Sequence, residues 1–318
     1  MIGEAANHID KLARHVPRDV ELVALPRDAG ESAAYDAQIG ADDVVVSLKF
    51  ARRDAPSPRF RMLHVPGAGL DGIDVGSLSP GCVVCNVFEH EIPIAEFVML
   101  GMLEWQIGLR AMSADFTPQS WSQIYRNRVP HGELHGKVLG LIGFGRIGQE
   151  IARRAKAFGM SVIAMGRTVR DHRGLIDRFV TPERFGELLA AADFVCISCP
   201  LNEQSRGLFD SEALARMKNS AVLINVSRAQ IVDEDALYAA LKDRRIAGAV
   251  MDVWYRYPAN DDEVLPSRAP FHTLPNVVAT PHSSAWTTDL PLRRYAVIGQ
   301  NITSLIEGRP LVNEVMRV

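Results

Sequence analysis

Several things are scarce in this sequence. Its 318 residues hold four cysteines, and aromatic residues make up only 7%. Charge of neither sign dominates: 35 Lys+Arg stand against 38 Asp+Glu, for a net charge of −3. That balance excludes the basic surface that nucleic acid or an anionic membrane would require. No uncharged apolar run approaches the ~18 residues of a membrane-spanning helix; the most apolar stretch, 97–103, runs straight into Glu104. The opening MIGEAANHID carries neither the basic region nor the apolar core of a secretory signal. Low-complexity tracts and internal repeats are absent. What remains is ordinary globular composition, 47% apolar, with an expected cytoplasmic setting and about two domains at ~100–200 residues each.

The cysteines form two CxxC pairs, Cys82–Cys85 and Cys196–Cys199, a spacing that can hold zinc. Both pairs lie in apolar, β-branched runs that read as strands, where residues three apart point to opposite faces. Four reduced, mostly buried thiols are expected. His131 and His135 imitate a His-x3-His pair, but Gly132 and Gly136 break any helix that would align them. No metal site is expected.

From residue 138 onward, strands and helices alternate. Strands are predicted at 138–142, 161–165, 193–198, 221–226, 249–253 and 277–280. Their short, continuous apolar runs suit a parallel sheet buried on both faces. Amphipathic helices fall between them: 146–158 with Ile147, Ile151, Ala155 and Phe158 on one face, 181–191 opening on Thr-Pro, and 233–243. The pattern predicts a doubly wound α/β domain. Before it lie shorter strands at 44–46, 62–65 and 83–84. The chain opens into a helix-like stretch, 6–15, with too little before it for a first strand, so that strand is missing, supplied elsewhere, or lost to a downstream start codon. Two long helices, 94–116 and 292–307, flank the middle. The former is apolar nearly all round, which suggests burial between domains or subunits.

Gly143-Phe-Gly145-Arg146-Ile147-Gly148 follows a strand and opens a helix, the context in which GxGxxG binds a dinucleotide. The first glycine makes the turn, the second admits the pyrophosphate, and the third packs helix on strand. A carboxylate for the ribose 2′-hydroxyl is expected about 20 residues later. Instead the second strand ends in Gly166-Arg167-Thr168, with no acid between Glu150 and Asp171 and with Arg170 and Arg173 close behind. Arg167 would pair with a 2′-phosphate and Thr168 could donate to it. The site is therefore expected to prefer NADP, with NAD the alternative and Arg167 then a solvated surface residue.

Three further segments, 225–233, 251–254 and 279–284, lie at C-terminal ends of predicted strands, where doubly wound sheets bind ligands. With them the chain resembles the D-isomer-specific 2-hydroxyacid dehydrogenases. The matching pieces are GKVLGLIGFGRIGQEIARRAKAFGM, ADFVCISCPLNEQSRGLF, LINVSRAQIVDEDAL, AGAVMDVW and ATPHSS, in that order. The fold implied is a Rossmann-type doubly wound domain (96–284) inserted in a smaller flavodoxin-like α/β domain (1–95 and 285–318). The reaction implied is hydride transfer between a nicotinamide and C2 of a 2-keto or 2-hydroxy acid, with glyoxylate or hydroxypyruvate the substrate class of NADP-using members.

By resemblance, Arg228 holds the substrate carboxylate and polarises the keto oxygen, and His282 is the acid/base. Alternatively, Arg228 caps a helix or bridges domains, and His282 is a core histidine. The resemblance also lines the cofactor path with Cys199, Pro200, Val226, Ser227 and Asp252, the last against the nicotinamide carboxamide or else a buried structural acid. Ala68 and Gly69, in PGAGLD, offer backbone N–H groups to the substrate or form an ordinary turn. His90 lies near the implied pocket, or else is a surface group or one that supports the pocket from behind. One departure is sharp. Relatives place a Glu five residues after the Asp of their DVF segment, where it orients the histidine and raises its pKa. Here that slot is Tyr257, whose hydroxyl can orient the ring but brings no charge at neutral pH. Asp261, Asp262 or Glu263 could stand in. His282 is accordingly expected to protonate less readily. The alternatives to a 2-keto acid reductase are a member with shifted substrate or reaction, and a dinucleotide sensor without turnover. A homodimer is expected, contacting through 94–116 and 121–125.

Overall fold

A computed structural model describes residues 1–52, 56–167, 174–258 and 263–318. Thr168, Arg170, Asp171, Arg173, Asp261 and Asp262, singled out above, lie outside the described residues. Among the described residues the strands are β1 (Val44–Val46), β2 (Met62–His64), β3 (Val83–Cys85), β4 (Val138–Ile142), β5 (Ser161–Met165), β6 (Arg178–Val180), β7 (Phe194–Ile197), β8 (Val222–Asn225), β9 (Gly248–Met251), β10 (Val277–Ala279) and β11 (Glu314–Arg317). The chain forms two compact units, Met1–Glu89 with Thr287–Val318, and His90–Trp286.

The larger unit is a seven-stranded sheet in the order β10-β9-β8-β7-β4-β5-β6. Every pairing in it is parallel. Successive residues enter different cores, as a strand covered on both faces requires. Val195 and Ile197 pack into one cluster, and Phe194 and Cys196 into the other. The chain runs outward one way through β5 and β6 and the other way through β7 to β10. The order therefore reverses between β4 and β7, and that is where such sheets open a crevice for ligands.

The predicted helix 94–116 is two helices, Glu91–Ile107 and Leu109–Asp115. Gly108 breaks it, at φ +67°, a conformation glycine adopts without strain and one that commonly ends helices. The first segment buries Ile94, Ala95, Val98, Met99 and Met102 against Ile151, Ala152 and Ala155 of the helix Arg146–Ala157. Its apolar character is thus largely met inside this unit. Among the described residues no single helix is long and apolar enough to cross a membrane; the two segments pass that test only together, bent by 51°.

The smaller unit carries the sheet β1-β2-β3-β11. Only β11 is antiparallel, with an irregular register between Glu314 and Met316. β11 and β6 went unpredicted, since both carry charged residues and lack an apolar run. The predicted helix 6–15 is a 3-10 turn, Gly3–His8, followed by Ile9–Leu12. The first strand is reduced to a bridge: Ile2 pairs with Leu25 and its N–H donates to the Val46 carbonyl at 2.9 Å. His64 is fully buried in this unit. Its Nε2 faces the Asn301 amide at 3.0 Å, and its Nδ1 lies 3.4 Å from the Val65 carbonyl.

Candidate active site

The glycine loop follows β4 at the sheet's reversal. Gly143 has φ +99°, and a Cβ there would stand 2.8 Å from the Cys199 backbone. A Cβ at Gly148 would meet the Gly143 carbonyl at 2.5 Å, with Ser198 Oγ beyond it at 3.2 Å. Ser198 Oγ itself donates to that carbonyl at 3.0 Å. These two glycines answer to the protein's own packing. Gly145 differs, because a Cβ there would have nothing within 4 Å. That open space lies at the N-terminus of the helix Arg146–Ala157, whose first N–H groups have no partner within the helix. Gln149 begins the ladder by donating to the Gly145 carbonyl at 3.0 Å. Free N–H groups, a positive helix end and unfilled room together suit a pyrophosphate. The Arg146 guanidinium lies 3.9 Å from Glu91.

At the end of β5, Gly166 sits under Phe179, whose ring carbons would be 3.2 and 3.3 Å from an added Cβ. A side chain here would press on that ring, which would have to give by a few tenths of an ångström. Arg167 is exposed beside it.

The loop after β8 is tied down from three sides. Asn225 Nδ2 donates to the Arg228 carbonyl at 3.0 Å, the Ser227 N–H donates to Asn225 Oδ1 at 3.1 Å, and Ser227 Oγ donates to the Cys199 carbonyl. Arg228 extends from this loop exposed, with Nη1 donating to its neighbour's carbonyl at 2.9 Å. The guanidinium remains able to meet an anion.

Asp252, just past β9, is fully buried. Oδ1 accepts from Thr280 Oγ1 at 2.6 Å and from the Ser283 N–H at 2.8 Å; Oδ2 accepts from the Ser284 N–H at 2.9 Å. Trp254 Nε1 adds a bond to the Thr280 carbonyl at 2.8 Å. The segment bearing His282 is thereby clamped on both sides of the histidine, which itself sits at φ +57°. Such a conformation is unusual for a non-glycine residue and persists only where its surroundings hold it. The part played by Thr280 and the Trp254 indole was not read from the sequence; a threonine and a tryptophan next to apolar strand ends carry no signal of a clamp.

Tyr257 meets His282 ring against ring, with centroids 5.5 Å apart and planes at 54°. Its hydroxyl turns away and accepts from the Trp254 N–H at 3.0 Å. Burial raises the Tyr257 pKa, so the phenol stays neutral. Burial also lowers the His282 pKa; the Asp252 charge opposes this and Arg228 adds to it. Arg228, Tyr257, Asp252 and His282 therefore act on one another electrostatically. In chemical terms, the group offers an anion-binding cation beside a neutral imidazole that can accept or return a proton.

Ala68 and Gly69 belong to the other unit, where the Ala68 carbonyl accepts from Asn86 Nδ2 at 2.8 Å. The four cysteines are free thiols, three of them buried. Among the described residues no cluster of three His, Cys, Asp or Glu side chains could hold a metal. His131 Nδ1 lies 2.8 Å from the Gly132 carbonyl.

Residues 99–284 match the family profile described as D-isomer specific 2-hydroxyacid dehydrogenase, NAD binding domain. The chain is 33% identical over 265 residues to the D-3-phosphoglycerate dehydrogenase of Methanocaldococcus jannaschii, an alignment that covers 81% of this chain and 48% of that protein. It thus spans about half the length of that relative. It is 32% identical over 255 residues to glyoxylate/hydroxypyruvate reductase B of Yersinia pestis, covering 79% of this chain and 76% of the relative. A solved D-lactate dehydrogenase from Sporolactobacillus superposes with a TM-score of 0.72 at 29% identity, covering 99% of this chain and 96% of that one.

Proposed function

The chain belongs to the D-isomer specific 2-hydroxyacid dehydrogenase family, and from that premise we propose that it reduces a small 2-keto acid to the 2-hydroxy acid with NADPH. The observation that carries this is the placing of Arg228 and His282 in one electrostatic group, in the same sheet as a glycine loop with open space at Gly145. Gly143, Gly145, Arg146, Ile147 and Gly148 would hold the pyrophosphate. Gly166 and Arg167 would face the ribose, and Cys199, Pro200, Val226, Ser227 and Asp252 would line the path. When bound, NADPH supplies the hydride.

The chain's own residues do the rest. Arg228 draws in the substrate carboxylate and polarises the keto oxygen with a charge-assisted hydrogen bond. His282 as imidazolium gives its proton to the developing alkoxide and in the reverse direction takes it back. Tyr257 walls one side of the imidazole without lending it charge, so the protonated form is scarcer than a carboxylate partner would allow. Glyoxylate or hydroxypyruvate is the favoured substrate class, supported by likeness to the Yersinia reductase.

Preference for NADP rests on the missing acid after β5 and on exposed Arg167. NADPH should exceed NADH at least tenfold in kcat/KM, and Arg167→Ala should remove most of that margin by raising the NADPH KM. Equal use of NADH by the wild type would refute the preference. A homodimer is the favoured assembly, supported by exposed Leu109, Met112, Phe116, Trp121 and Tyr125 along 109–126.

A further inference from the structure

Glu91 is a buried acid with no part in the proposed reaction. It opens the helix Glu91–Ile107, is 8% exposed, and is favoured by the helix's positive end. Oε2 lies 3.9 Å from His90 Nδ1 and has no hydrogen-bond partner. A carboxylate withdrawn from water without a donor is costly, and a neighbouring cation offsets that cost. Arg146 is such a cation. Its Nη1 lies 3.9 Å from Oε1, beyond hydrogen-bond reach but within strong charge attraction.

Arg146 opens the helix Arg146–Ala157, which begins at the glycine loop. The two helices pack through Ile94, Ala95 and Val98 on Ile151, Ala152 and Ala155. The spacing of their N-terminal ends is thus set by the core. Within the pair the acid is the fixed member: its side chain is 11% exposed, that of Arg146 54%. An exposed arginine has many rotamers to lose when it meets a ligand. A charge anchored beside it restricts those rotamers in advance.

We propose that Glu91 is a positioning residue. It holds the Arg146 guanidinium beside the start of its helix, where the pyrophosphate is proposed to bind, and so tightens NADPH without touching it. This role rests on the reading of the glycine loop as the cofactor site. The carboxylate has two opposed effects: it repels the phosphates, and it lowers the ordering cost that Arg146 meets on binding. Salt screens the repulsion over a Debye length of about 8 Å at about 0.15 M ionic strength. The attraction to Arg146, at 3.9 Å, acts well inside that length. Ordering therefore outweighs repulsion while Arg146 is present. Without Arg146 only repulsion remains.

The test is a double-mutant cycle on NADPH affinity, read by fluorescence titration of the full chain at about 0.15 M salt. Arg146→Ala should raise Kd at least about tenfold. Glu91→Gln, which keeps the shape and removes the charge, should raise Kd about threefold in the wild type and leave it unchanged or lower it in Arg146→Ala. Glu91→Asp, which keeps the charge, should recover most of the lost affinity. Should Glu91→Gln fail to fold, Glu91→Ala replaces it in the cycle with the same directions. A wild-type Kd that Glu91→Gln leaves unchanged or lowers, an equal rise in both backgrounds, or a Glu91→Asp no better than Glu91→Gln each overturns the proposal while leaving the cofactor site standing. NADPH affinity indifferent to Arg146→Ala overturns both the proposal and the placing of Arg146 on the pyrophosphate.

Discussion

Acid should loosen the smaller unit through one side chain. His64 has no exposure to solvent, and burial pushes its pKa down to about 4. The unfolded chain returns it to about 6.5. A histidine whose folded pKa is depressed leaves the unfolded state binding more protons at acid pH, so stability falls as pH drops below about 6.5 and levels off below about 4. The full span is roughly 2.5 pH units at 1.36 kcal/mol each, or about 3.4 kcal/mol. Between pH 7 and pH 5 the same relation gives a loss of about 1.8 kcal/mol. His64→Gln removes the titration while offering an acceptor to the Asn301 amide. Hydrogen exchange of peptides covering 62–65 and 298–302 reads the opening free energy locally. The wild type should lose about 1.8 kcal/mol more than the variant from pH 7 to pH 5. Equal losses in both proteins would show that His64 is not held neutral by burial.

Three other outcomes are expected. Tyr257→Glu should place a carboxylate beside His282, keep imidazolium to higher pH, and move the alkaline limb of the reduction profile up by about one pH unit; Tyr257→Phe should leave the profile in place, because the hydroxyl is bonded to Trp254 and not to the imidazole. Asp252→Ala frees Thr280 Oγ1, the half-buried Ser283 N–H and the buried Ser284 N–H, and should cost about 2–4 kcal/mol in denaturant unfolding. Its kcat should fall at least 100-fold as the His282 segment loses its clamp. Gly145→Ala should keep the wild-type Tm while weakening NADPH at least tenfold by fluorescence titration, whereas Gly143→Ala should lower Tm outright because its Cβ collides with Cys199.

The parallel sheet of the larger unit was legible because its strands are buried on both faces. β4 and β5 have their predicted bounds, β7, β8 and β10 lie within theirs, and β9 begins one residue early, at Gly248. Strands that carry charge were not legible: β6 presents Arg178, and β11 holds only two apolar residues between Glu314 and Arg317. The helix 94–116 misled because apolar content says nothing about the left-handed turn at Gly108. In the site, it was the family resemblance that implied a common place for Arg228, His282 and Tyr257. What spacing could not carry was direction. The Tyr257 hydroxyl points back to Trp254, and Asp252 spends its carboxylate on Thr280, Ser283 and Ser284, contacts made across 28 to 32 residues of chain. Nor did composition hint at Glu91, since burial of one acid among many is decided by tertiary packing alone.

Arg228 is proposed to bind and polarise a 2-keto acid for reduction. This is tested most directly by NADPH absorbance loss at 340 nm with glyoxylate and hydroxypyruvate, comparing the wild type with Arg228→Gln, alongside NADPH binding by fluorescence. The wild type should turn over, the variant should lose at least 1000-fold in kcat/KM, on the order of 4 kcal/mol of transition-state stabilisation, and NADPH affinity should stay unchanged within threefold. A wild type that binds NADPH tightly yet turns over neither substrate, or a variant that keeps its activity, would contradict that role.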